Sequence, residues 1–261
     1  MAEEDIQEAP EQKIEVETEL FKDFSEKKVF KGSSALPGDG SLLALKIVSQ
    51  VIDDSIIVIA TDNDDYLVTN KPMLKINNAA AAAAGISQAL PDKHIICFSD
   101  SKYTAAYFSS VLAAAERNDN VTFVCNNSDW GPTKSSFARH LKGNYVATSS
   151  VGFPEDLIRK LKKSAVKKGF KFIDVLCPDP KKWMFDPSNT IYVAKLASQT
   201  KLWPIYEVEN KKVKITKRSD FEPVEIFFKI QKRLEKHSCD LELLQKDVDK
   251  SWKLLNSGIL I

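Results

Sequence analysis

No apolar run in this 261-residue chain approaches the ~18–20 residues that a membrane-spanning helix needs, so the sequence predicts no span. The N-terminus is acidic and lacks the basic patch and apolar core of a secretory signal. Cysteine is scarce: Cys97, Cys125, Cys177 and Cys239 stand far apart with no C-x-x-C pair, which argues against a disulfide framework or a zinc site. Together these absences predict a reduced, cytoplasmic setting. An excess of either charge is missing too, with 37 basic and 36 acidic residues and a net of +1, so nothing points to nucleic acid. The three histidines, His94, His140 and His237, sit in unrelated contexts, and none has a nucleophile or metal partner nearby in sequence. There is no Walker loop, no G-x-G-x-x-G and no G-x-S-x-G.

What is present is an ordinary globular composition, 43% hydrophobic, with a length suited to one large α/β domain or two small ones. The charge balance hides an asymmetry. Residues 1–19 hold eight acids against Lys13, which leaves the remaining chain at +8. Such a leader reads as a solvated segment, balanced by the lysine-rich stretches at 158–171 and 211–236 within the chain or against a partner.

From Ser41 the pattern becomes regular. A helix is predicted around Leu42–Val51, then a strand at Ile56–Ala60, an alanine helix at Ala79–Leu90 and a strand at His94–Phe98. A helix at Thr104–Arg117, a strand at Val121–Cys125 and two further strands at Tyr145–Thr148 and Phe172–Leu176 follow, with a helix from Pro154 to Lys168 between the last two. Short strands that are apolar on both faces, alternating with helices, imply a doubly wound, mostly parallel α/β sheet. In the helix after Gly152, Pro154 suits the first turn, Glu155 and Asp156 complement the positive end, and Gly169 can close it. Arg159, Lys160, Lys162, Lys163, Lys167 and Lys168 are expected on its wet face. The six alanines at 79–84 are expected to let their helix approach a neighbour closely.

Ligands of open parallel sheets bind beyond the carboxyl ends of the strands. Those ends carry Asp62 and Asn63, Ser99 and Asp100, Asn126, Asn127 and Asp129, and Cys177.

Several stretches then carry a specific likeness. They are YVATSSVGFPEDLIRKLKKSAVKKGFKFIDVLCPDPKKW, DPSNTIYVAKLASQTKLWPIYEVENKKVKIT, FEPVEIFFKIQKRL, NNAAAAAAGISQAL and AAAERNDNVTFVCNN. In their order along the chain, in which the last two come first, they resemble the beta subunit of pyruvate:ferredoxin oxidoreductase (pyruvate synthase) and its 2-oxoacid relatives, over residues 20–235. The resemblance implies a thiamine-diphosphate-binding fold at 20–210, preceded by the acidic leader at 1–19 and followed by a basic helical extension at 211–261. It also implies a diphosphate held through Mg²⁺, an iron–sulfur cluster on cysteine ligands, and an alpha subunit that completes the active site.

The implied motifs are altered. Phe98-Ser99-Asp100-Ser101 stands where the family has G-D-G, so Asp100 keeps the carboxylate while both glycines are serines. The family's metal-ligating Asn falls at Ser128, one residue from Asn127. The resemblance therefore implies cofactor contacts at Ser99, Asp100, Ser101, Asn126, Asn127 and Ser128, with Asp100 and Asn127 on the metal. Leu36 and Asp39 occupy two cluster-cysteine positions, the third falls in Asp62-Asn63-Asp64, and the sequence predicts no cluster. A literal G-D-G at Gly38–Gly40, followed by a helix, a strand and Asn63, is assigned to the lost cluster segment rather than to a strand end.

The expectation is a subunit that pairs with an alpha-like or homologous oxidoreductase subunit, with no residue predicted to be catalytic. Two alternatives stay open. In one, a thiamine-diphosphate-dependent 2-oxoacid oxidoreductase or decarboxylase subunit uses Asp100 with Asn126 and Asn127 at the metal. In the other, the strand-end pocket takes a different small ligand, or the basic body an acidic partner.

Overall fold

A computed structural model describes residues 36–62, 71–132, 136–217, 221–234 and 240–259. The leader at 1–19, Asn63, His237 and Cys239 lie outside the described residues. In chain order the elements are α1 (Gly40–Val51), β1 (Ser55–Ala60), β2 (Met73–Lys75), α2 (Ala79–Ala89), β3 (His94–Asp100), α3 (Ser101–Ala106), α4 (Phe108–Arg117) and β4 (Val121–Asn127). Then come β5 (Tyr145–Ser150), α5 (Pro154–Ala165), β6 (Lys171–Leu176), α6 (Pro180–Trp183), α7 (Thr190–Gln199), β7 (Ile205–Glu209), β8 (Lys212–Lys217), α8 (Val224–Lys229) and α9 (Leu241–Asn256).

The eight strands form one sheet in the order β2-β1-β3-β4-β6-β5-β7-β8. Pairing is parallel from β2 through β5 and antiparallel for β5–β7 and β7–β8. The α/β, mostly parallel architecture expected from the sequence is what the chain adopts. Its period-2 logic is plain in the core. Ile57, Ile59, Ile96, Phe98, Val124, Ile173 and Val175 meet α1 and α5 on one face. Val58, Ala60, Ile95, Cys97, Phe123, Cys125 and Phe172 meet α2 and α4 on the other. Both faces of the central strands being covered, β1, β3 and β4 are mainly apolar runs, and each buried Val, Ile or Phe side chain contributes roughly 1.5–3 kcal/mol.

The alanine run does what its size suggests. Ala79, Ala80, Ala83 and Ala84 are buried against the sheet, capped by the Asn78 side chain, which accepts from Ala81 N. A third cluster gathers at the sheet's carboxyl end, around Trp130, Trp183, Trp203, Leu176, Leu196 and Phe227.

Several expectations are corrected. The helix predicted at 104–117 is two helices, starting at Ser101 and broken at Tyr107, whose ψ of 29° leaves helical geometry. The helix predicted to Lys168 ends at Ala165. Strands β2, β7 and β8 and helix α7 had no sequence forecast; residues 212–217, assigned to a helical extension, form a sheet strand. Lys160 is not wet but fully buried. Its ammonium donates to Asp156 Oδ2 (2.6 Å), the Thr148 carbonyl (2.6 Å) and Thr216 Oγ1 (2.8 Å). The basic balance is partly internal, because Lys163 pairs with Glu207 and Glu209, Lys167 with Glu209, and Lys217 with Glu155.

Candidate functional site

The carboxyl ends of β1, β3, β4 and β6 converge on one crevice. The β3–β4 register sets Asp100 directly opposite Asn126, and Asn126 Nδ2 donates to Asp100 Oδ1 at 2.6 Å. Asp100 is half-buried, and burial pushes its pKa up to about 6, against the pull of hydrogen bonds from Thr61 and Asn126 and of the Lys182 charge. Asn126 is fully buried, and its Oδ1 has no hydrogen-bond partner among the described residues. A buried acceptor left unpaired costs on the order of 1–3 kcal/mol, so this atom marks a place where a donor or a cation would be stabilised.

The serines flanking Asp100 are both buried and both engaged. Ser99 Oγ accepts from Thr104 Oγ1 (3.1 Å), and Ser101 Oγ donates to Asp129 Oδ2 (3.1 Å). Asp129 is closed from its other side by Lys182, whose Nζ lies 2.8 Å from Oδ1 and 3.3 Å from Ser128 Oγ. Burial lowers the Lys182 pKa, but Asp129 and other carboxylates more than offset this and raise it. Lys182 is set there by the local sequence: Asp179 caps α6 through Lys181 N and Lys182 N, and Pro180 occupies its first turn. The Trp183 indole N–H then donates to the Ser128 carbonyl at 2.7 Å.

Asn127 belongs to a different network. Its Nδ2 donates to Asp174 Oδ1 (3.2 Å), while Ser136 Oγ (2.6 Å) and Phe137 N (2.8 Å) donate to Asp174 Oδ2. Asp174 is fully buried, and burial raises its pKa despite these donors. The amide nitrogen of Asn127 thus ties the strand end to Asp174, which also receives Ser136 and Phe137 at the start of the turn at 137–140. A cavity of about 220 Å³ lies beside this point, lined by Ser101, Lys102, Ala105, Asn127, Asp129, Trp130 and Phe137.

Asp62 sits apart at the exposed rim, accepting from Lys102 Nζ (2.7 Å) and Tyr103 Oη (2.5 Å). The three described cysteines are free and buried, and burial pushes each thiol pKa up. Cys97 and Cys125 face one side of the sheet and Cys177 the other. No group of three or more His, Cys, Asp or Glu side chains suited to one metal ion exists among the described residues. At the positions assigned to the cluster, Leu36 is exposed and Asp39 caps α1, accepting from Ser41 N (2.8 Å) and Leu42 N (3.3 Å).

The Gly38–Gly40 motif lies nearer the crevice than expected. Gly40 N donates to the Pro178 carbonyl (3.2 Å) just past β6, and a Cβ on Gly40 would stand 2.7 Å from that oxygen.

Sequence reasoning missed Lys182 and Asp174. Lys182 had a signal, since Asp179-Pro180 announces a helix start that aims the next turn at a strand end. Asp174 had none, being a carboxylate in mid-strand.

A hard cation takes oxygen ligands, and the Asp100 carboxylate with the Asn126 amide oxygen could supply two. A diphosphate cradle needs backbone N–H groups to approach closely, which glycines allow; at 99 and 101 this chain has serines whose hydroxyls are already bonded. Asp100 and Asn126 thus offer two oxygens toward a cation, while the serines at 99 and 101 do not offer the close backbone approach of glycines.

An open α/β sheet with a polar crevice at its carboxyl ends defines a ligand-binding class of fold, and comparison with known proteins narrows it. No family model matches the chain. It is 43% identical over 107 residues to pyruvate synthase subunit PorB of Methanosarcina barkeri, a match covering 41% of this chain and 36% of that protein. It is 25% identical over 252 residues to the PorB subunit of Methanothermobacter thermautotrophicus, covering 77% of this chain and 88% of that one. Among solved structures it resembles a 2-oxoglutarate:ferredoxin oxidoreductase from Magnetococcus marinus, with a TM-score of 0.49 and 16% identity over 63% of this chain and 77% of that one. The stronger sequence matches thus span little more than a third of those relatives' length. The resemblance read from the sequence holds: the chain is similar to pyruvate synthase subunit PorB and to ketoisovalerate oxidoreductase subunit VorB. No helix among the described residues is long and apolar enough to cross a membrane.

Proposed function

We propose that this chain is a beta-type component of a 2-oxoacid:ferredoxin oxidoreductase complex that acts by pairing with an alpha-like or homologous subunit in the cytoplasm, without cofactor chemistry of its own. The observation that carries this reading is the closure of Asp129 by Ser101 and Lys182. The chain's own hydroxyl and ammonium groups satisfy Asp129, a carboxylate that a cofactor's cation would otherwise meet. The serines at 99 and 101, in place of glycines, support the same conclusion. Iron–sulfur chemistry has no place in this reading, since Leu36 stands at a ligand position.

The test is calorimetry and thermal unfolding of the purified chain with thiamine diphosphate and Mg²⁺. No heat and no change in Tm are expected, with no cluster absorbance after anaerobic preparation. Anaerobic affinity purification with mass spectrometry should recover an oxidoreductase subunit as partner. A rise in Tm that disappears in Asp100→Ala would overturn the proposal.

One observation favours a second reading. The unpaired Oδ1 of Asn126 beside Asp100 suits a divalent cation. In that case Asp100, with Asn126 and Asn127, holds a metal–diphosphate, and a co-purified complex should turn over pyruvate only when thiamine diphosphate is added.

A further inference from the structure

A cavity of about 290 Å³ lies against β5 and β7 under the last described helix. Strands β5 and β7 contribute Thr148 and Tyr206, the turn at 136–140 contributes Ser136 and Arg139, and α9 contributes Leu244, Asp247, Val248 and Ser251. Its size falls at the small end of ligand cavities, which run from about 300 to 1,000 Å³.

Most polar groups here are spent within the chain. Ser136 Oγ donates to Asp174, Thr148 Oγ1 donates to the Pro204 carbonyl, and Lys201 Nζ is paired with Asp249 at 2.6 Å. Two groups are not spent. Tyr206 is fully buried, yet its hydroxyl has no hydrogen-bond partner among the described residues. Burial raises the pKa of this hydroxyl, the nearby Arg139 guanidinium opposes the rise and the Asp174 carboxylate adds to it; Arg139 forms no ion pair among the described residues. A buried tyrosine hydroxyl normally finds a partner, and leaving one without costs free energy.

We propose that this cavity binds a small organic monoanion, a carboxylate, seated between the Arg139 guanidinium and the Tyr206 hydroxyl. A guanidinium offers a planar fork matched to a carboxylate, and the phenol adds a third donor. The choice of a single negative charge follows from the lining. Lys201 is neutralised by Asp249, so among the described lining residues Arg139 is the cation left to meet a ligand, and the Asp247 and Asp174 carboxylates repel a second negative charge. Leu202, Trp203 and Leu244 supply an apolar wall for a short alkyl group.

The test is thermal unfolding of the full chain titrated with sodium propionate, sodium phosphate or sodium chloride at equal ionic strength. Propionate should raise Tm saturably, by about 3–6 °C at a tenfold excess over Kd, while phosphate and chloride do not. Arg139→Gln should abolish the rise. Tyr206→Phe should weaken propionate binding several-fold while leaving the ligand-free Tm unchanged or higher, because the lost hydroxyl had no partner. The proposal is overturned if propionate does no more than chloride, if phosphate binds better than propionate, if the rise survives Arg139→Gln, or if Tyr206→Phe lowers the ligand-free Tm.

Discussion

Lys160 and Asp156 occupy adjacent turns of α5, and both are almost completely shielded from solvent. Breaking one half of a buried pair leaves the other half uncompensated, at a cost of about 3–5 kcal/mol. Asp156 keeps Arg159 (2.9 Å) and Ser149 (3.0 Å), so Lys160→Met should cost about 3 kcal/mol in urea unfolding, and Lys160→Met/Asp156→Asn less than the sum of its parts. The pH dependence has a definite sign. Burial raises the Asp156 pKa, but Lys160 and Arg159 more than offset this and hold it below the usual carboxylate value. Its contribution is therefore complete above the ordinary carboxylate range and is lost as pH falls through the depressed folded value. Lys160→Met should move acid unfolding to higher pH. Gly40 shows steric necessity rather than charge. With 2.7 Å between a Cβ and the Pro178 carbonyl, Gly40→Ala should cost about 1–3 kcal/mol and lower the urea midpoint.

Among the elements, α5 and β7 face each other through a ladder of charges. Glu209 is bonded to both Lys163 and Lys167, and these hydrogen bonds depress its pKa to about 2. A depressed carboxylate stabilises the fold above its unfolded pKa, so this increment disappears between about pH 4.5 and pH 2. Glu209→Gln should flatten the stability profile in that window and should matter less in high salt, at roughly 0.5 kcal/mol per exposed pair. The same elements show what could be read in advance. The strands buried on both faces announced themselves as apolar runs, and Pro154 with Glu155 marked the start of α5. Lys160 was misjudged because helical periodicity places it beside other lysines; only the tertiary position of Asp156 and Thr216 draws it inward. Strand β8 alternates Lys212, Val213, Lys214 and Ile215 at a half-exposed edge, and β2 spans three residues, so neither stood out among lysine-rich or loop-like neighbours.

At the scale of the molecule, the C-terminal helix closes one side of the fold. Leu255 packs into the sheet-face core and Val248 into the tryptophan cluster. Gln245 Oε1 accepts from Val224 N at 3.0 Å, and Trp252 meets Phe221 edge-on. Ending the chain at Asp240 should cost about 3–5 kcal/mol from the apolar burial alone, and hydrogen exchange should quicken in β7 and β8. The site was legible at this scale only in part. That Asp100 and Asn126 lie at strand ends followed from the alternation of strands and helices, and adjacent parallel strands in register bring them within 2.6 Å. That Asn127 donates to Asp174, and that Lys182 arrives from a later segment, depend on contacts 47 and 53 residues apart in sequence, which no local pattern encodes.

Three of the four tryptophans gather at one end of the sheet, with Trp130 5.4 Å from Trp203 and 6.2 Å from Trp183, and the Arg233 guanidinium 3.7 Å above the Trp183 ring. The optical consequence is that intrinsic emission from this protein comes mainly from one locality. Indoles this close exchange excitation, and a stacked cation shifts the excited state of Trp183, which is tied to Ser128 at the crevice floor. The emission is therefore a built-in reporter whose colour and anisotropy register events at the strand ends, while Trp252 on α9, edge-on to Phe221, provides a separate signal.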